Sequence, residues 1–284
     1  MSVAFAGEPG SFSELAAREY FGSAEESFSY PEFENVFRSV AAGKHQFGIV
    51  PIENSLAGSI HQNYDMLLES KLHICGELFL RINHYLIANR GVKLSDVRRV
   101  FSHPQPLAQC KKYLKKYPKS TQIPFTSTSL AVKKIKDDKI TDAAAIASMQ
   151  AAIDYDMEVL ASNIEDNPWN TTRFLVVSKK KQSQKSQNMK ASVVFSMKNI
   201  PGALFKALSV FALRDIDLYK IESRPVHGKG FYYLFYLDCK GSSDDPALKN
   251  AISHLSEITT FYRLLGSYPV GREVFPKYKK KRRA

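Results

Sequence analysis

The sequence has few cysteines and no apolar run long enough to cross a bilayer. Its three cysteines, Cys75, Cys110 and Cys239, are odd in number and far apart, which indicates neither a disulfide framework nor a thiolate metal site. No apolar stretch approaches the roughly 20 residues of a transmembrane helix, and the first residues lack the basic-then-apolar order of a signal peptide. We therefore expect a cytoplasmic protein that does not bind membranes.

Motifs of nucleotide and metal chemistry are also missing. The chain has no GxGxxG motif after a predicted strand, no P-loop, no GxSxG nucleophile elbow and no HExxH motif. Its seven histidines are scattered without the spacing of metal ligands, and a lone histidine such as His103 is interpreted as structural. These absences predict an activity that uses no cofactor and no metal.

The charge is strongly basic and unevenly distributed, with a net value of +12. Five lysines between Lys179 and Lys190 and six basic residues from Lys277 onward stand without any acid, and they carry all but one of the excess charges. Basic residues confined to a polar linker and a chain end are typical of solvated segments. We expect no nucleic-acid partner, and a polyanion-binding protein that uses the basic end stays as an alternative.

The length of 284 residues, with 44% hydrophobic content, indicates two domains. Residues 179–188 include no apolar side chain, so we place a linker at 179–190. Before it, short apolar runs alternate with amphipathic helical stretches, which predicts an α/β architecture with mostly parallel sheets. The candidate strands are Val3–Phe5, Phe47–Val50, Val100–Phe101, Ala144–Ala147 and Phe174–Val177.

Serines follow several of these apolar runs at the start of a predicted helix. Ser11 and Glu14 have the spacing of a capping box, and Ser102 and Ser148 follow two other runs. The carboxyl ends of parallel strands and the helix amino termini beyond them form the usual ligand crevice of an open α/β sheet. Because helix amino termini present free N–H groups and a partial positive charge, the pattern predicts a site for an anionic ligand.

After the linker the pattern is that of a ferredoxin-like βαββαβ sandwich. The turn His227–Gly230 supplies glycines where a hairpin needs positive φ. The predicted elements are strand Ala191–Met197, helix Gly202–Leu213, strand Ile216–Val226, strand Phe231–Asp238, helix Pro246–Ser256 and strand Tyr262–Tyr268.

Short motifs with polar residues lie beside several of the apolar strands and in the module after the linker. They are Gly7–Ser13, Val50–Ser55 (VPIENS), Ser102–Gln105 (SHPQ), Asn163–Phe174 (ending in TRF), Gly202–Leu204 (GAL) and Glu222–Pro225 (ESRP). Each short motif is weak alone, whereas their order and spacing together are specific. Through them the chain resembles the prephenate dehydratases along nearly its whole length.

The resemblance implies a carbon–oxygen lyase that converts prephenate into phenylpyruvate, CO₂ and water. It implies that Thr172 donates a hydrogen bond or a proton to the leaving hydroxyl, and that Arg173 clamps a substrate carboxylate. Asn54, Ser102 and Gln109 are expected to orient the substrate. Glu53 is interpreted as either catalytic or structural, because a buried carboxylate that faces two substrate carboxylates is repelled by them. Asn170 and Thr171 are interpreted as turn and cap residues.

The resemblance also implies a two-lobed catalytic region, like that of periplasmic binding proteins, and an ACT domain that binds L-phenylalanine. We expect the catalytic domain at 1–178 (one lobe at about 1–76 and 162–178, the other at about 77–161), the ACT domain at 191–270 and a basic tail at 271–284. The chain would change lobes near Cys75–Leu80 and return near Leu160–Asn163. A homodimer or homotetramer is expected, because ACT domains usually pair. The expected phenylalanine ligands are Asn199, Gly202, Ala203, Leu204, Glu222, Ser223, Arg224 and Pro225.

Two alternatives concern the ligand and the class of protein. Gly58–Asp65 resembles the variant seen in plant-type dehydratases, many of which prefer arogenate, so arogenate is the second candidate substrate. A binding protein without catalysis, in which two lobes and an appended sensor bind an amino acid, is the competitor from a different class. The retained pair Thr172–Arg173 counts against it.

Overall fold

The computed structural model describes residues 1–22, 26–182, 186–225 and 232–278, and the chain divides into two units. The first unit comprises Met1–Ser70, Leu78–Leu175 and the segment that begins at Arg272. The second comprises Lys71–Glu77 and Val176–Gly271. No helix within the described ranges is both long enough and apolar enough to span a membrane.

Strands and helices alternate along the chain, as the apolar pattern predicted. The strands are β1 (Ser2–Ala6), β2 (Glu26–Tyr30), β3 (Phe47–Asn54), β4 (Gly58–Ser59), β5 (His73–Arg81), β6 (Tyr85–Ala88), β7 (Arg99–Ser102), β8 (Thr121–Pro124), β9 (Ala143–Ala147), β10 (Glu158–Ser162), β11 (Thr171–Ser178), β12 (Met189–Ser196), β13 (Leu218–Pro225), β14 (Tyr233–Lys240), β15 (Phe261–Pro269) and β16 (Glu273–Val274). The helices are α1 (Phe12–Phe21), α2 (Phe33–Ala41), α3 (His61–Glu69), α4 (Pro104–Gln109), α5 (Lys111–Leu114), α6 (Thr128–Asp137), α7 (Met149–Asp154), α8 (Ala203–Ala212) and α9 (Pro246–Ile258).

The first lobe is built on a mixed sheet with the strand order β16-β5-β11-β3-β1-β2, in which β4 pairs with β3. Strand β1 is parallel to both β2 and β3, so the carboxyl ends of these strands lie at one edge of the sheet. Strands β3 and β11 are buried along almost their whole length, which explains their nearly continuous apolar sequences.

Ser11 caps α1 as predicted, but the reciprocal half of the capping box is shifted by one residue, to the Gly10 amide instead of the Ser11 amide. Ser11 Oγ accepts a hydrogen bond from the Glu14 amide at 3.3 Å, and the Glu14 carboxylate accepts one from the Gly10 amide at 2.6 Å. Gly10 has a φ of +79°, and a Cβ there would come within 2.6 Å of Ala151 Cα in α7. Glycine is therefore required at this position by both its backbone conformation and its close contact with the second lobe.

The second lobe has its own sheet, with the order β10-β6-β9-β7-β8. Strand β7 is parallel to β8 and β9, whereas β6 runs antiparallel to β9 and β10, so this sheet is mixed rather than mostly parallel. Its centre is the alanine-rich β9, which is fully buried between two apolar clusters. Ser127 and Ser148 cap the helices α6 and α7.

The chain passes between the lobes slightly later than the sequence predicted. Strand β5 extends to Arg81 in the first sheet and β6 begins at Tyr85 in the second, so the crossing lies between these residues instead of near Cys75–Leu80. The predicted crossing thus lies within β5, which stays buried through its last residues, Leu80 and Arg81. The chain leaves the second sheet at Ser162, within the predicted return at Leu160–Asn163.

The second unit contains the predicted ferredoxin-like sandwich. Its elements follow the order β12-α8-β13-β14-α9-β15, and its sheet has the order β13-β14-β12-β15. The two helices pack on one face of the sheet over a continuous apolar core. The predicted hairpin turn His227–Gly230 lies outside the described residues, as do Val226 and Phe231 at the predicted strand ends.

The borders of the second unit differ from the sequence expectation in two places. Residues 189 and 190 belong to β12 rather than to the linker, and buried Lys190 pairs with the Glu77 carboxylate at 2.7 Å. Residues 272–278 do not behave as a solvated tail: β16 extends the first sheet, and the Lys277 amide donates to Glu19 at 2.7 Å. Strand β16 covers the otherwise open edge of β5. The basic composition of the chain end gave no sign of this pairing.

Candidate active site

A cavity of about 660 Å³ lies between the two lobes of the first unit. The turn between β1 and α1 and the end of β3 line it from one lobe, and the starts of α4 and α6 line it from the other. Thr172 and Phe174, on alternate positions of β11, complete the wall. The site thus lies where strands end and helices begin, as the positions of the predicted caps indicated.

Two ten-residue helices begin at the cavity wall. Ser11, Phe12 and Ser13 of α1 line it, and so do Ser127, Thr128 and Ser129 of α6. The first N–H groups of a helix have no acceptor within the helix, and they carry a partial positive charge. Together with the hydroxyls, they give opposite sides of the cavity donors that can bind anions.

Full charges are scarce on the cavity wall. Among the lining residues in the described part of the chain there is no Lys or Arg, and Glu32 is the one carboxylate. Burial lowers the pKa of both His84 and His103 below the ordinary value of 6.5, so both imidazoles are neutral at pH 7. Backbone dipoles and neutral donors therefore make up most of the electrostatics that a ligand meets.

Asn54, at the end of β3, is the centre of a buried hydrogen-bond network. The amides of Leu56 and Ala57 donate to its Oδ1 at 3.1 and 3.0 Å, which fixes that atom as the oxygen. Its Nδ2 must then donate, and it lies 2.8 Å from Asn170 Oδ1 and 3.0 Å from Thr172 Oγ1. The backbone of the turn after β3 therefore sets the direction of every hydrogen bond that Asn54 makes.

The network continues through Gln109 to His84. Gln109 Nε2 lies 3.5 Å from Asn54 Oδ1, so Gln109 Oε1 faces away and accepts from Asn170 Nδ2 at 3.0 Å. The same oxygen lies 2.9 Å from His84 Nε2, which must carry the ring proton because an amide oxygen can only accept. The tautomer of His84 follows from this chain of donors and acceptors.

Thr172 is the last member of the network and lies on the cavity wall. Its Oγ1 accepts a hydrogen bond from Asn54, and none of the described groups accepts its own proton. The side chain is only 8% exposed, so few waters compete for that proton. Thr172 can therefore donate a hydrogen bond to a ligand in the cavity.

The structure brings three of the six predicted catalytic residues to the cavity, namely Asn54, Gln109 and Thr172. Ser102 does not line it: its side chain is fully buried, and its hydroxyl donates to the Ile146 carbonyl at 2.7 Å. Its position therefore gives no support to a role in orienting the substrate, which stays a prediction. Its hydroxyl instead links β7 to its neighbour β9.

Glu53 and Arg173 are not among the residues that line the cavity. Thr172 and Phe174 of β11 both line it, so Arg173 between them projects from the opposite face of that strand. Arg173 is buried there. The expected carboxylate clamp by Arg173 is not supported by its position, and a catalytic role for Glu53 is likewise unsupported.

Sequence reasoning missed two members of the network. Asn170, interpreted as a turn residue, is fully buried and bridges Asn54 and Gln109. His84 is 1% exposed and was hidden among scattered histidines. The signal for His84 was its place just after the apolar strand β5, where the chain crosses to the second lobe.

A smaller cavity of about 210 Å³ lies in the second unit at the start of α8. The predicted phenylalanine ligands Asn199, Gly202, Ala203 and Leu204 all line it. Gly202 caps α8 with a φ of +77°, which favours glycine. The other four predicted ligands, Glu222–Pro225, do not line the described part of this cavity. Glu222 instead pairs with Lys220 at 3.1 Å.

The cysteines and the acidic residues give no sign of a metal or redox site. All three cysteines are buried and none of them forms a disulfide; burial raises the pKa of Cys75 to about 11 and that of Cys239 to about 12. Throughout the described ranges, no group of three or more His, Cys, Asp or Glu side chains could hold a metal ion.

Comparison with known families gives two matches. The family described as "Prephenate dehydratase" matches residues 3–182, and the family described as "ACT domain" matches residues 191–256. These ranges contain the large cavity and the small cavity respectively.

Individual relatives are similar over nearly the whole chain. Arogenate dehydratase/prephenate dehydratase 2 of Arabidopsis thaliana, described as chloroplastic, is 44% identical over 94% of this chain and 72% of its own length. A bifunctional chorismate mutase/prephenate dehydratase of Stutzerimonas stutzeri is 38% identical over 95% of this chain and 73% of its own. The crystal structure of prephenate dehydratase from Arthrobacter aurescens in complex with L-Phe has a TM-score of 0.88 and 30% identity, and it covers 95% of this chain and 90% of that one.

Proposed function

The chain belongs to the prephenate dehydratase family, and on that basis we propose that it converts prephenate into phenylpyruvate, CO₂ and water in phenylalanine biosynthesis. The observation that carries the proposal is the position of the Thr172 hydroxyl, which lies on the cavity wall and accepts a hydrogen bond from Asn54, so that its own proton is available to a ligand.

The reaction needs little covalent help from the protein. The bond between the ring and its carboxylate breaks, the electron pair enters the ring, and the bond to the ring hydroxyl breaks as the ring becomes aromatic. The departing hydroxide takes up a proton to become water. Aromatisation supplies the driving force, so the catalyst has to hold the substrate, keep the departing carboxylate poorly solvated and stabilise the leaving hydroxyl.

Thr172 is the group that assists the leaving hydroxyl. An alcohol is a weak acid, so its contribution is a hydrogen bond that strengthens as negative charge develops on the leaving oxygen. Asn54 supports this by occupying the Thr172 lone pair, and Gln109 with His84 fixes the orientation of Asn54. A polar group already oriented in a dry cavity needs no reorganisation during the reaction.

The two substrate carboxylates are bound by the starts of α1 and α6. These helices offer hydroxyls and N–H groups on the cavity wall without a full positive charge. Such donors bind an anion while leaving it less stabilised than an Arg pair would. That balance suits a carboxylate that has to leave as CO₂.

L-Phenylalanine regulates the enzyme by binding at the small cavity of the ACT domain. Its support is the set of predicted ligands that line this cavity and the L-Phe complex of the Arthrobacter aurescens relative. We further propose a homodimer or homotetramer in the cytoplasm. Its subunits would associate through exposed apolar side chains of the ACT domain, such as Phe205, Leu213 and Ile221.

Arogenate is a second candidate substrate, because the Arabidopsis thaliana relative is named for both activities. It differs from prephenate only in an amino group where prephenate has a keto group. The helix starts and Thr172 would contact the parts that the two molecules share.

The test is an initial-rate assay of purified protein with prephenate, with and without added L-phenylalanine, beside Thr172→Ala. We expect phenylpyruvate from the wild type, inhibition by L-phenylalanine, and a loss of rate by about 10²–10³ in the variant. If correctly folded wild type converts neither prephenate nor arogenate, the enzyme proposal fails and a ligand-sensing protein becomes the better interpretation.

A further inference from the structure

The position of Glu32 on the cavity wall is not explained by the reaction proposed above. It is the one carboxylate among the described lining residues, and no Lys or Arg lines the cavity with it. A carboxylate repels both carboxylates of prephenate, so this position weakens the binding of that substrate. Glu32 is exposed to solvent, so its carboxylate is hydrated in the free protein and available to a ligand group of opposite charge.

No structural role uses the charge of Glu32. It stands at the N-cap position of α2, yet its side chain makes no capping hydrogen bond. No hydrogen bond or ion pair joins it to any other described residue. The nearby Glu34, by contrast, is bound in an ion pair with Arg38 and does not line the cavity.

The candidate substrates differ at one group, and that difference is electrostatic. Prephenate has a neutral keto oxygen that can only accept a hydrogen bond, whereas arogenate has an ammonium that donates hydrogen bonds and is positively charged. A carboxylate attracts the second and offers nothing to the first. Helix starts and neutral amides do not discriminate in this way, so Glu32 is the lining residue that can.

We propose that Glu32 binds the ammonium of arogenate and determines how well the enzyme uses arogenate relative to prephenate. This inference rests on the proposed dehydratase function and deepens it by assigning the specificity of the same cavity. Glu32 would bind the part of the substrate that carries the amino or keto group and does not react. Thr172 would assist the leaving hydroxyl of both substrates.

The experiment measures kcat/KM for arogenate and for prephenate with wild type, Glu32→Gln and the matched control Glu34→Gln. Initial rates are needed because the product of arogenate is phenylalanine, the effector itself. We expect Glu32→Gln to lower kcat/KM for arogenate by about ten-fold, mainly through KM, and to leave prephenate unchanged or improved. Glu32→Asp keeps the negative charge and should retain part of the preference for arogenate. Glu34→Gln should leave kcat/KM unchanged for both substrates.

The proposal is overturned if Glu32→Gln leaves kcat/KM for arogenate unchanged, or if it lowers kcat/KM for both substrates by the same factor. A wild type that converts prephenate but never arogenate also overturns it. A wild type that converts neither substrate refutes the dehydratase function itself, so the two failures are distinguishable. A further check is ionic strength: added salt should raise KM for arogenate in the wild type more than in Glu32→Gln, because a contact between charges at an exposed residue is screened.

Discussion

The variant Asn54→Asp tests whether the direction of the buried hydrogen bonds matters. The two side chains have nearly the same shape, and the introduced carboxylate could still accept from the amides of Leu56 and Ala57. A carboxylate has no proton to give to Thr172, so the Thr172 hydroxyl would turn and donate to the carboxylate instead of to the substrate.

The magnitude follows from the contacts that are lost. Asn54 Nδ2 lies within 3.3 Å of three oxygens, those of Asn170, Thr171 and Thr172, and a carboxylate would place its own oxygen against all of them. We expect a loss of about 2–3 kcal/mol in the free energy of unfolding. We also expect kcat to fall by about 10²–10³, the typical effect of one oriented donor.

The assay is kcat from pH 5 to 8 for the wild type and Asn54→Asp, with urea unfolding to measure stability. Burial and the surrounding oxygens should raise the pKa of the introduced carboxyl group, so acid would restore a proton that can be donated to Thr172. The activity of the variant should therefore recover partly at low pH relative to wild type. A variant with wild-type kcat at pH 8, or with no relative recovery in acid, would refute the proposed orientation of Thr172.

Three further predictions concern other parts of the chain. Gly202→Ala should lower the free energy of unfolding by about 1–2 kcal/mol, because φ at this position is +77°, although a Cβ there would meet no neighbour. The variant should also weaken inhibition by L-phenylalanine, which inhibition curves measure. Glu273→Ala should lower the free energy of unfolding by about 1 kcal/mol, since Thr171 Oγ1 donates to Glu273 at 3.2 Å; unchanged urea unfolding would contradict it. Because burial lowers the pKa of His84 below 6.5, the unfolded chain binds the proton more readily, so stability should fall as the pH drops below about 6.5. That acid sensitivity should shrink in His84→Gln, which can still donate to Gln109.

Local patterns allowed much of the fold to be predicted. The Ser11 cap, the apolar strands and the βαββαβ order depend on neighbouring residues, and the structure confirms them. Strand β16 escaped prediction because its two residues are too few for a periodic signal. Its partner β5 lies almost two hundred residues earlier in the chain.

The candidate site was predicted less completely than the fold. Asn54, Gln109 and Thr172 were found through motifs, but a motif does not show which face of a strand a residue occupies. A motif also does not show that the Ser102 hydroxyl donates to a carbonyl of the neighbouring strand, because the sheet sets that contact. Glu32 carries no motif and reaches the cavity only because α2 begins beside it.

The central claim is that the Thr172 hydroxyl, held by Asn54, donates to the leaving hydroxyl. The most direct measurement compares kcat for prephenate in Thr172→Val, which keeps the shape without the hydroxyl, and in Thr172→Ser, which keeps the hydroxyl. The account predicts that Thr172→Val lowers kcat by about 10²–10³ with little change in KM, and that kcat of Thr172→Ser stays within about ten-fold of the wild-type value. A Val variant with near-wild-type kcat would contradict it.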